Sequence, residues 1–152
     1  MASKTGQTIQ IQSVEISTIA HATDDLQRIE VALTRLLPDS LKDRQLFTRQ
    51  YVEGHHGNPI ITFEARLTKR SDVEDFTTFF QNLLPKKDRL IIERDLDLHS
   101  DAEGNLYIRI DKQRSYLGMV QLGEDDPIRV RLKFSRFTGK FTDLMIKYLE
   151  YD

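Results

Sequence analysis

The chain has 152 residues, 39% of them hydrophobic and 30% charged, with a formal net charge of −2. That apolar supply suffices for a packed core, and the near balance of charge excludes both a disordered polyelectrolyte and a global attraction to nucleic acid or anionic lipid. The absence of cysteine removes disulfide frameworks, thiolate metal sites and cysteine nucleophiles.

From Ile9 to Ala20, IQIQSVEISTIA alternates apolar and polar residues with a phase change near Ser13, which predicts a strand with a bulge or a frayed start. Thr23 is then placed to cap a helix, with Asp24 and Asp25 in its first turn. Leu26, Ile29, Leu33, Leu36 and Leu37 form its apolar stripe, and Pro38 ends it. Two strands follow, Leu46 to Glu53 and Pro59 to Thr68, joined by Gly54-His55-His56-Gly57-Asn58, whose glycines and Asn tolerate positive φ. In the second strand Ile61, Phe63, Ala65 and Leu67 share one face, and Thr62, Glu64 and Arg66 the other.

Ser71-Asp72-Val73-Glu74 has the spacing of a capping box, with Ser71 at the N-cap. It opens a helix that turns Val73, Phe76, Phe79, Phe80, Leu83 and Leu84 inward. Lys86 to Leu98 fits a further helix burying Leu90, Ile91 and Leu98, while the alternation in IIERDLDL also fits a strand. After a turn at residues 101–105, Leu106, Ile108 and Ile110 alternate with Tyr107, Arg109 and Asp111. Later Ile128, Val130, Leu132 and Phe134 alternate with Arg129, Arg131, Lys133 and Ser135, so both segments read as half-buried strands. Thr138 begins a last helix with Phe141, Leu144, Met145, Tyr148 and Leu149 on one stripe. The order predicts an α+β fold, an antiparallel-rich sheet of about five strands with helices packed on one face. Residues 1–8 are expected to be a flexible tail and residues 9–152 a single domain. No apolar run approaches the roughly 20 residues that cross a bilayer, and Met1 to Thr8 lacks the apolar core of a secretory signal, so a cytoplasmic protein without membrane contact is expected.

Charge is unevenly spread. Between Gly104 and Lys140, eight Lys and Arg residues face four carboxylates. Side chains at i and i+2 of a strand stand about 7 Å apart, near the phosphate spacing of a nucleic-acid strand, so Arg129, Arg131 and Lys133 suit a phosphate track. Arg109 and Tyr107 share their open face if the two strands are neighbours, and a tyrosine among guanidinium groups offers a base something to stack on. The same pattern also fits a solvated face chosen for solubility and edge protection. Arg136 and Lys140 flank the start of the last helix, where a cation opposes the helix dipole unless an anion binds there or the lysine stem lies over apolar surface. His55-His56 lacks a carboxylate at ligand spacing, and no hydrolase, zincin, Walker or dinucleotide motif is present. Neither metal nor cofactor is expected.

Four motifs occur in order: His21-Ala22-Thr23-Asp24-Asp25, Gly54 to Ile60 (GHHGNPI), Arg109-Ile110-Asp111-Lys112-Gln113, and Asp126 to Lys133 (DPIRVRLK). Together they resemble the archaeal predicted RNA-binding family described as exosome-subunit-like, whose fold is similar to that of large-subunit ribosomal protein L five. The resemblance runs from Val14 to the last helix. It implies an archaeal, non-catalytic RNA-binding module associated with an RNA-processing complex. It also implies polar contacts at Arg109, Lys112 and Gln113 and a cationic strand at Arg129, Arg131 and Lys133. Arg114 and Ser115 depart from the smaller apolar residues expected there. The resulting expectation is RNA binding through the open sheet face and the loop after Gln113, with Arg114, Arg136 and Lys140 at its rim. Tyr107 or Tyr116 stacks on a base, and Asp111 pairs with a nearby Lys or Arg. Two rivals stand beside it. One is a protein-interaction subunit docking an acidic partner on the same face. The other is an enzyme for phosphorylated small molecules using Lys140 and the Gly54 to Asn58 loop. The oligomeric state is left open.

Overall fold

The computed structural model describes residues 11–135 and 139–150. The predicted tail, the strand start at Ile9, Arg136 and the helix start at Thr138 lie outside the described residues. Five strands form one antiparallel sheet: β1 (Ile11–His21), β2 (Thr48–Glu53), β3 (Pro59–Leu67), β4 (Asn105–Ile110) and β5 (Ile128–Phe134), in the spatial order β2-β3-β1-β5-β4. The alternation seen in the sequence fixes which face is covered. Val14, Ile16, Ile61, Phe63, Leu106, Ile108, Val130 and Leu132 are buried together, while their sequence neighbours point to the opposite face. Each such large apolar side chain contributes about 1.5–3 kcal/mol on burial. The expected irregularity near Ser13 is present as a register shift between Ile11 and Ser13 against β5.

Seven helices are described, α1 (Leu26–Thr34), α2 (Asp39–Lys42), α3 (Arg70–Leu83), α4 (Lys86–Arg94), α5 (Leu96–His99), α6 (Lys112–Tyr116) and α7 (Phe141–Leu149). Several boundaries differ from the sequence expectation, each for a local reason. The first helix is capped by Asp25, which accepts from Gln27 N at 3.0 Å, because Thr23 and Asp24 are spent in the turn out of β1. There Asp24 Oδ2 accepts from His21 N at 2.9 Å. That helix ends at Thr34. Leu36 and Leu37 reach the core through tight turns, and Pro38 opens α2 rather than closing α1.

Ser71 is not a cap, because α3 already begins at Arg70, with only two residues between it and the end of β3. Asp72 in its first turn is held by both Arg44 amines at 2.8 and 3.0 Å. Lys86 to Leu98 is helical apart from a break at Asp95, but its buried apolar residues are Ile92 and Leu96. Leu90 and Leu98 are exposed, since a break at Asp95 rotates the stripe. In the β2–β3 connector the positive φ angles fall on His56 and Gly57, not on Asn58.

Candidate nucleic-acid interface

The uncovered face of the sheet is built by register. Arg109 of β4 lies directly opposite Arg129 of β5, which lies opposite Ser17 of β1. Tyr107 lies opposite Arg131, and Arg131 opposite Glu15. Tyr107, Arg109, Arg129, Arg131 and Lys133 therefore share one surface: spacing set the face within each strand, and the pairing of β4 with β5 meets the condition on which Tyr107 and Arg109 join it. Arg66 and Glu64 of β3 complete it beyond β1.

The cations on this surface are not equivalent. Arg131 donates to Asn105 Oδ1 at 3.1 Å and pairs with Glu15 at 2.7 Å, and Glu15 also takes Arg66 at 3.1 Å. Lys133 Nζ donates to the Glu103 carbonyl at 2.8 Å. Tyr107 donates its hydroxyl to Asp101 at 3.0 Å. Burial acts to raise the Asp101 carboxyl, but the hydrogen bonds from Asn105, Tyr107 and Glu103 N outweigh it and hold it at about 2. Burial and that anionic neighbour raise the Tyr107 hydroxyl, so the ring stands neutral on the face. A polar chain thus crosses the sheet from Asp101 through Asn105, Arg131 and Glu15 to Arg66. Arg109 and Arg129 lie outside it. Both are exposed, and neither guanidinium has a hydrogen-bond or ion-pair partner among the described residues.

The RIDKQRSYLG segment takes a different course from the expected projecting loop. Asp111 caps α6 by accepting from Arg114 N at 2.9 Å, so its partner is a backbone amide rather than a basic side chain. Lys112 is only 8% exposed: its ammonium donates to the Ile19 carbonyl at 2.7 Å and meets Asp126 at 3.0 Å. It ties the β4–β5 connection to β1 and faces away from solvent. Ser115, fully buried, donates to the Ala32 carbonyl at 2.7 Å and seats α6 on α1. Gln113 and Arg114 are exposed, but on this helix layer rather than the open face. Tyr116 sits there too, with Arg28 over one face of its ring at 5.1 Å, away from the open sheet face on which it was expected to stack on a base.

The four sequence motifs meet at one end of the sheet. Ala22 N donates to the Pro59 carbonyl, and Thr18 to the Pro127 carbonyl. A cleft of about 630 Å³ there is lined by Asp24, Asp25, Asp111, Asp125 and Asp126 against Arg28 and Lys112. Its excess of carboxylates repels phosphate. Among the described residues no group of three or more His, Asp or Glu is arranged to hold a metal. Lys140, exposed at the N-cap of α7, lines a shallow hollow with Asp101 and Ala102 at the opposite end of the sheet from the Gly54 to Asn58 loop. Those two elements therefore form no common anion site.

Sequence reasoning passed over Glu15, Asp101 and Asn105. Asp101 and Asn105 read as turn residues and Glu15 as one polar position of a strand, and the engagement of Asn105 and Glu15 with Arg131 depends on register between distant segments. No described helix is long and apolar enough to cross a membrane.

An α+β protein with one antiparallel sheet, helices on one side and a cationic open face on the other is the class these features define. The model of a family described as RNA binding matches residues 13–134, and the chain belongs to that family. A Pyrococcus abyssi protein named "RNA-binding protein PAB1135" is 34% identical over 134 residues, covering 87% of each chain. An uncharacterised protein of Methanocaldococcus jannaschii is 30% identical, covering 90% of this chain and 93% of its own. Among solved structures, a DUF54 protein from Archaeglobus fulgidus is 32% identical with a TM-score of 0.76, covering 91% of this chain and 96% of its own.

Proposed function

We propose that this protein binds RNA on the open face of its sheet without cleaving it, and that the β4–β5 half supplies the decisive contacts. The observation that carries the reading is the Arg109–Arg129 pair. Like charges directly opposite on neighbouring strands repel, and here no carboxylate among the described residues neutralises them. A polyanion does so, releasing its own counterions in return. Arg131 and Lys133 add to the local field although their donors are partly engaged. Tyr107 presents an aromatic edge beside them.

Because Tyr107 is the lone aromatic among the described residues of this face, the reading favours phosphate and shape recognition over a row of stacked bases. Membership of a family described as RNA binding, and a relative named as an RNA-binding protein, support it. The resemblance to exosome-subunit-like proteins extends the proposal to cytoplasmic work beside an RNA-processing machinery.

The test is a salt titration of binding to a mixed RNA pool, comparing wild type with Arg109→Ala/Arg129→Ala. For a single strand the logarithmic slope is about −0.7 per phosphate contacted, so the double variant should flatten it by about 1.4. No RNA binding by wild type at low salt would overturn the proposal. So would a double variant with unchanged affinity and slope.

A further inference from the structure

The two edges of the sheet are treated differently by the chain. Along β4 the outer backbone groups are taken. Ser100 bridges Leu106, His99 Nδ1 lies 3.3 Å from the Tyr107 carbonyl, and Leu122 bridges Ile110. Gly123 N donates to the Arg109 carbonyl at 3.0 Å, and Asp111 N donates to the Gln121 carbonyl at 2.9 Å. That covering segment is itself anchored, since buried Asp88 accepts from Leu122 N at 3.2 Å.

Along β2 nothing comparable exists among the described residues. All six residues of TRQYVE are exposed, the strand holds no proline, no register shift interrupts its pairing with β3, and no described backbone group pairs with its outer side. Tyr51 is 66% exposed and Val52 37%. The neighbouring helix α1, tied to this edge by the ion pair between Glu30 and Arg49, exposes Val31 as well. An unbulged, proline-free edge of six residues with Tyr51 and Val52 exposed on it is a template for another strand.

We propose that β2 pairs antiparallel with β2 of a second copy of this chain, about a two-fold axis through Tyr51. The occupant follows from self-complementarity. Two-fold symmetry at Tyr51 sets Arg49 opposite Glu53 of the second copy, and Glu53 opposite its Arg49, on the helix-covered side of the sheet. The same symmetry places Gln50 opposite Val52 on the open side and brings the two Tyr51 rings together. Opposite charges facing across strands stabilise such a pair, and a C2 contact repeats each of them. Shifting the axis to Gln50 sets Arg49 against Tyr51 and Thr48 against Val52, with no ion pair.

Two six-residue strands make a small interface, so the dimer is a concentration-dependent one. The pairing does not rest on the RNA reading. Taken together with it, the dimer sets two Arg109–Arg129 pairs on one continuous face, with their β5 strands roughly 34 Å apart at about 4.8 Å per strand spacing.

The absence of cysteine makes the test specific. In Tyr51→Cys the two introduced thiols would lie across directly opposite positions, where Cα atoms are about 4.5–5.5 Å apart, within disulfide range. Mild oxidation of concentrated protein should therefore give a covalent dimer. Thr48→Cys places its thiols many residues out of register and should stay monomeric. Sedimentation velocity across a concentration series should show reversible dimerisation of wild type, abolished by Tyr51→Lys with an unchanged circular dichroism spectrum. Three results would each overturn the proposal: wild type monomeric at every concentration, a dimer indifferent to Tyr51→Lys, or equal cross-linking of both cysteine variants.

Discussion

The β2–β3 pair and the β4–β5 pair flank β1 in the same manner, each with its outer strand first in the sequence, yet they differ in almost every property that matters for binding. On the open face, the β4–β5 side carries two arginines without an ion-pair partner among the described residues, whereas β3 carries Arg66, bound to Glu15, beside Glu64. At the edge the order reverses: β4 is sealed by its flanking segments, and β2 is bare among the described residues. The difference teaches that a polar strand face and a polar strand edge are separate resources. The chain keeps cationic side chains free on one wing and backbone groups free on the other.

The largest expected contrast is in stability. Ile108 in sealed β4 is fully buried, so Ile108→Ala should cost about 2–5 kcal/mol in denaturant unfolding. Val52→Ala on the bare edge should stay within about 0.5 kcal/mol. Equal losses would erase the distinction between the edges. Next comes Lys112→Met, which leaves the Ile19 carbonyl and Asp126 without their donor and should cost about 1–3 kcal/mol while the salt slope of RNA binding stays the same. A flattened slope with unchanged stability would instead make Lys112 an RNA contact.

These two cases also mark where the sequence was legible. The strands, their faces and the common face of Arg129, Arg131 and Lys133 follow from a period of two, which a single stretch of chain displays, whereas the place of Arg109 and Tyr107 beside them depends on β4 pairing with β5. The burial of Lys112 does not, because its acceptor is a carbonyl of β1, 93 residues away in the chain. The same holds for the engagement of Arg131 by Glu15. The short helix α6 carried a readable signal, since Asp111 stands three residues before the amide it caps, but the cluster of charges after it looked like a loop. Tyr116 was misplaced with it. Thr23 and Ser71 were misjudged as caps because the turns leaving β1 and β3 set where each helix starts.

Smaller effects sharpen the account further. Removing one of the two opposed charges with Arg129→Ala should leave stability unchanged or raise it by about 0.2–1 kcal/mol, measured at low ionic strength, because the repulsion with Arg109 disappears. A clear loss would show that Arg129 has a structural partner. The Asp101 carboxyl gives the last prediction. Its folded value near 2 lies below the ordinary 3.8, so its stabilising contribution is complete above about pH 4 and lost as pH falls through 2. A carboxyl titration followed by NMR should find its midpoint near 2. In Asp101→Asn the part of the acid-unfolding curve between those limits should flatten, and a midpoint near 4 would contradict the hydrogen bonding at the Asp101 turn.

The most direct measurement of the central claim is an NMR titration of the protein with RNA, following side-chain guanidinium and backbone amide signals. Shifts should concentrate on Arg109, Arg129, Tyr107 and their neighbours on β4 and β5, leaving the α1–α6 layer and the carboxylate-lined cleft unmoved. Shifts centred on that cleft, or on Gln113, Arg114 and Tyr116, with the two arginines silent, would contradict it.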